Sequence, residues 1–98
     1  PSMWRAQWLP PGFVIASHRA ADENGQESMM FTDGLAVFSV FIDPDKGRSL
    51  PSIDANLGAT VAVLTKADIN NQEYAICVVG EIPRATANQI ASAISLSP

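Results

Sequence analysis

The stretch Met29 to Ile42, MMFTDGLAVFSVFI, limits the fold of this chain more than any other part of it. Asp33-Gly34 stands between two apolar runs, the strongest short-range hairpin signal, and predicts a type I′ turn with positive φ at both central residues. In the strand that follows, residues 35–42, alternation sends Ala36, Phe38, Val40 and Ile42 to one side. Leu35, Val37, Ser39 and Phe41 go to the other. Both sides are largely apolar, as in strands that are covered on each face. A chain of 98 residues has little material for two covers.

The length predicts a single domain over 1–98, since domains cluster near about 100–150 residues. Such a chain should bury about 65% of its unfolded surface, enough for one core. Hydrophobic residues make up 47% and charged residues 16%, against a usual charged share of about 25%. That balance excludes a disordered chain and leaves apolar surface for a partner. The net charge is −4, and Arg5, Arg19, Lys46, Arg48, Lys66 and Arg84 are scattered. Nucleic-acid binding needs a basic stripe, so it is excluded. No apolar run approaches the ~20 residues of a membrane span. The opening PSMWRAQW does not read as a signal peptide, and a chain opening at Pro1 reads as a piece of a longer protein.

Trp4 and Trp8 stand four apart, one above the other if this segment is a helical turn, and Pro10-Pro11-Gly12 would end any helix there. Strands are predicted at 13–19, 27–32, 35–42, 59–66 and 73–80, with turns at Asn24-Gly25 and in ADINNQ, while 51–58 is ambiguous. Ala87, Ile90, Ala91 and Ile94 then recur at helical spacing. Pro83 suits the helix start; Thr86 with Gln89 would also fit as a capping box. The expected fold is α+β: a curved antiparallel sheet of about five strands with one C-terminal helix packed on one face. Ala36, Phe38, Val40 and Ile42 are expected to meet that helix. The second face would be shielded by the Trp4/Trp8 segment, by another domain or by a partner protein.

Catalytic chemistry is hard to place. His18 and Cys77 are single residues, too few for a metal centre. DPDKG, with Asp43, Asp45 and Lys46, faintly resembles a calcium loop, but Ile53 stands where the acidic ligand belongs, so it reads as a solvated turn. Ser17 and His18 are neighbours on a strand and point to opposite faces, so they cannot form a nucleophile–base pair. His18 is expected to be half-exposed, the acidic ADEN to be a wet turn, and Cys77 to be a small buried hydrophobe. The tryptophans are either interface anchors or plugs of the core.

Three motifs, WLPPGF, FTDGLAVFSVFI and GEIPRATANQIASAI, occur in that order. Together they resemble the C-terminal domain of the MucB/RseB family of sigma-E regulatory proteins, over roughly Trp4 to Leu96. The resemblance implies a non-enzymatic, two-domain periplasmic protein of envelope-stress and alginate regulation, without cofactors. Its N-terminal domain, similar to lipoprotein carriers, would lie outside residues 1–98. It implies binding of the periplasmic segment of a transmembrane anti-sigma factor of the MucA/RseA type, which hinders site-1 proteolysis, with lipid or lipopolysaccharide loosening the contact. The candidate partner-binding residues are Trp4, Trp8, Leu9, Phe13, Leu35, Val37 and Phe41. Two other readings stay open. One is a lipid-sensing cavity lined by Met29, Met30 and Phe31; the other is a domain that only docks on its own N-terminal domain.

Overall fold

Period-two patterning governs most of the chain. The computed structural model, which describes residues 3–23, 25–44, 54–57 and 59–97, holds eight strands and one helix among those residues. β2 (Val14–Arg19), β3 (Glu27–Thr32), β4 (Val37–Pro44), β5 (Asp54–Leu57), β6 (Thr60–Ile69) and β7 (Gln72–Gly80) form an antiparallel sheet in the order β2-β3-β4-β7-β6-β5. β5 lies in the stretch whose sequence was ambiguous and makes the sheet six-stranded. α1 (Arg84–Ser92) crosses β6 and β7. β1 (Met3–Ala6) and β8 (Ile94–Ser97) form a separate two-stranded ribbon, with Trp4 opposite Leu96.

The core occupies one side of the sheet. Phe38, Val40 and Ile42 share it with Met29 and Phe31 of β3, Ile76 and Val78 of β7, and Val61 and Val63 of β6. Ala87, Ile90 and Ala91 of α1 close over them, so the face expected to meet the helix is the buried one. Small residues let the helix lie close to the sheet. Trp4 is buried edge-on against Tyr74, with ring centroids 4.8 Å apart and planes at 78°. Phe31 and Phe38 stack at 5.1 Å, and Phe13 tilts onto Phe38 at 5.2 Å. At Gly80, opposite Phe38, an added Cβ would lie 2.5 Å from the Phe38 Cβ.

Several sequence expectations change. Trp4 and Trp8 do not share a helical turn, because Trp4 belongs to β1. A separation of four fits a helix and a strand equally, and pairing with β8 decides it. Pro83 is the N-cap, at φ −60° and ψ 147°, and not a residue of the first turn; Thr86 lies inside the helix. The helix ends before Ile94, which is buried as the first residue of β8, so helical spacing overran the true end. The Asp33-Gly34 turn takes positive φ at Gly34 alone, 97°, so it is not type I′. Asp33 Oδ1 accepts the Leu35 and Ala36 amides at 2.9 and 2.8 Å, and this side-chain bonding sets the loop. Leu35 and Ala36 thus belong to the turn, and β4 starts at Val37. Asn70 and Asn71, between β6 and β7, carry the paired positive φ values, 53° and 66°.

Candidate functional site

β4 divides its side chains between a sealed face and an open one. Phe38, Val40 and Ile42 are buried, whereas Val37 is exposed and Ser39 and Phe41 are half-buried. Cross-strand register extends the open face. Val14, Thr32 and Val37 make one row. Ser17, Met30, Ser39 and Val79 make the next, and Arg19, Ser28, Phe41 and Cys77 the third. The exposed large apolar side chains concentrate in β2–β4 and at the hairpin tip: Val14 at 62%, Val37 at 45% and Met30 at 40% on this face, Leu35 at 98% at the tip, and Ile15 at 55% on the opposite face. Isolated exposed apolar residues are ordinary; a continuous strip of them marks a contact surface.

A concavity of about 360 Å³ opens within this strip. Ser17, Ser28 and Ser39 come from three successive strands, between the larger Met30 and Phe41, with Arg19 alongside. The three hydroxyls make no hydrogen bond to another described residue, and Arg19 has no carboxylate partner among them. Farther along β4, Asp43 accepts a bond from Gln26 Nε2 at 2.9 Å. Cys77 is half-buried on this face rather than sealed in the core. Burial pushes its thiol pKa up, and the Asp43 charge adds to the shift.

β2 carries a bulge at Ala16, because Ile15 opposes Phe31 while Ser17 opposes Met30. Ser17 therefore faces the open side and His18, opposite Met29, the other, which leaves no Ser–His pair. His18 Nε2 instead lies 2.7 Å from Glu27 Oε2. Glu27 is the buried charged residue among those described, so this partner satisfies an otherwise costly carboxylate. In the ADEN stretch Asp22 and Glu23 are exposed and the Gly25 amide donates to the Asp22 carbonyl at 2.9 Å, while Asn24 of the expected Asn24-Gly25 turn lies outside the described residues. No group of three or more His, Cys, Asp or Glu able to hold a metal occurs among the described residues. Asp45, Lys46 and Ile53 of the calcium-loop reading lie outside them.

The candidate partner-binding residues fall in two places. Trp4, Trp8, Leu9 and Phe13 lie on the core side, where Trp4 is buried and the other three pack half-exposed against the core. Leu35, Val37 and Phe41 lie at the hairpin tip and on the open face. The structure does not bring the two groups together. Sequence reasoning passed over Arg19 and the three serines, since only strand register makes them neighbours. Met29 and Met30 both touch the concavity, while Phe31 belongs to the core.

A family model described as the MucB/RseB C-terminal domain matches residues 1–95. The chain belongs to that family. Among its MucB/RseB relatives, the sigma factor AlgU regulatory protein MucB of Pseudomonas aeruginosa is 35% identical over 95 residues, covering 93% of this chain and 30% of MucB. The sigma-E factor regulatory protein RseB of Escherichia coli K12 is 36% identical over 97 residues, covering 93% of this chain and 29% of RseB. A chain in the solved complex of Pseudomonas aeruginosa MucA and MucB superposes with a TM-score of 0.84 at 34% identity, covering 97% of this chain and 35% of that one. The MucB/RseB domain described here thus spans about 30% of the length of the curated relatives it matches.

Proposed function

We propose that this domain is the part of a MucB/RseB-type regulator that binds the periplasmic segment of a MucA/RseA-type anti-sigma factor and shields it from site-1 proteolysis. In this reading it is not an enzyme. It works in the periplasm and is joined to a separate N-terminal domain. No helix among the described residues is long and apolar enough to cross a membrane. The observation that carries the proposal is the superposition, at a TM-score of 0.84, on a chain of the MucA/MucB complex. The open face supplies a surface consistent with it, because an exposed aliphatic strip beside half-buried aromatic and serine side chains suits a peptide.

An acyl-binding role is less well supported. The concavity next to Met29 and Met30 is floored by three hydroxyls that an acyl chain would strip of water without replacing their hydrogen bonds. Titration calorimetry of the protein against a MucA-type periplasmic segment tests the function, with a protease-protection assay beside it. Saturable binding that slows cleavage is expected. Absence of binding by folded protein would refute the proposal.

A further inference from the structure

β2 is anomalous within its own sheet. All six of its residues are exposed, on both faces, although it includes Val14 and Ile15. It pairs with β3 on one side and is the terminal strand on the other, so among the described residues no strand lies beside its outer amides and carbonyls. Natural edge strands are usually guarded by lysine, proline or a covering element. VIASHR contains neither lysine nor proline, and its guards amount to the bulge at Ala16 and Arg19 at the end. From Ser17 to Arg19 the strand runs regularly beside the concavity.

We propose that β2 and the serine-floored concavity form a strand-addition site for an extended segment of the anti-sigma partner, aliphatic beside Val14 and acidic beside Arg19. The inference rests on the anti-sigma-binding reading and adds the mode, the edge and the chemistry of the segment. Main-chain hydrogen bonds to the free edge supply affinity without regard to sequence, and alternate side chains supply specificity. On the open side the new strand stands next to Val14, Ser17 and Arg19. Val14 calls for an aliphatic neighbour. Arg19, a cation with no carboxylate partner among the described residues, calls for an aspartate or glutamate. The protein carries a net charge of −4, so an acidic segment gains nothing from the overall field. Attraction is confined to the Arg19 end, which sets register and direction. The hydroxyls of Ser17, Ser28 and Ser39 are available to a polar side chain leaning over the concavity.

The test is amide hydrogen exchange on the complex of the protein with a MucA-type periplasmic segment, with affinities measured for two variants. Residues 14–19 should gain protection on binding. Arg19→Glu should weaken affinity roughly tenfold, more than most interface residues cost, and an acidic-to-lysine change in the segment should restore it. Ser39→Leu, which fills the concavity and removes no charge, should weaken binding without being rescued by that change. Unchanged thermal midpoints confirm that both variants are folded. Tight binding with no protection at 14–19, or unaffected by Arg19→Glu, overturns the proposal and leaves the anti-sigma reading standing. Failure of the wild-type protein to bind removes that reading first. Concentration-dependent protection of 14–19 in the protein alone would assign the edge to a second copy of this chain, and the proposal would again be wrong.

Discussion

β7 and β2 lie in the same antiparallel sheet and carry similar aliphatic residues, yet their surroundings differ. β7 is flanked by strands on both sides and lies under α1, and its Ile76 and Val78 are sealed. Among the described residues β2 has a strand on one side only, and none of its side chains is buried. The second layer, among the described residues, consists of one nine-residue helix, a short ribbon and the Trp8–Phe13 segment. It runs out before it reaches the β2 edge. Apolar alternation therefore reports that a strand forms; whether it is covered depends on how far the second layer extends.

That contrast predicts unequal costs for similar substitutions. Phe38→Ala, in the sealed half, should lower stability by about 3–5 kcal/mol through the cavity it leaves, measured by denaturant titration; Val14→Ala, on β2, should stay within about 0.5 kcal/mol. Comparable losses at both sites would mean that β2 is covered after all. Gly80→Ala should cost about 1–3 kcal/mol as overpacking, because the new methyl meets Phe38 and the Val37 carbonyl.

His18→Ala should cost about 1–3 kcal/mol by leaving the buried Glu27 carboxylate without its partner. The lower end is expected, since His18 is partly exposed and water can enter. A neutral result would show that this pair does not pin β2 to β3. Leu35→Ala should leave stability unchanged, as the side chain is 98% exposed, while weakening partner binding by more than about 1 kcal/mol if the tip is a hot spot.

Two ionisable side chains should give smaller, pH-dependent effects. Cys77 keeps its proton longer in the folded protein than in the unfolded chain. Stability should therefore fall as pH rises past the ordinary thiol value, a slope that Cys77→Ser removes. Asp33 has its carboxyl pKa lowered by the Ala36 and then the Leu35 amide. Its contribution is present above the unfolded carboxylate pKa and is lost as pH falls through the folded value, and Asp33→Asn should abolish that acid-side slope.

Much of the architecture was legible in local pattern. Five strands, the helix start near Pro83 and the core face of β4 follow from residue order, because period two and period 3.6 are local properties of the backbone. Trp4 and Ile94 escape local pattern for a common reason: each satisfies two periods or is buried in either element, and only the β1–β8 pairing distinguishes them. Of the candidate site, Val37 and Phe41 could be named because their face of β4 is apolar in the sequence, while Leu35, assigned to the same strand, belongs to the turn before it. Arg19, Ser17, Ser28 and Ser39 could not, since nothing links them along the chain. Residue order alone was enough for the strands β2, β3, β4, β6 and β7, for the core face of β4 and for the family to which the chain belongs, but not for β1, β5 or β8. Folding in three dimensions was needed to show that, among the described residues, the cover stops short of β2 and that three serines far apart in the chain line one concavity beside an arginine with no carboxylate partner. Both depend on strand register and the reach of the second layer, which are set by contacts between residues far apart in the chain.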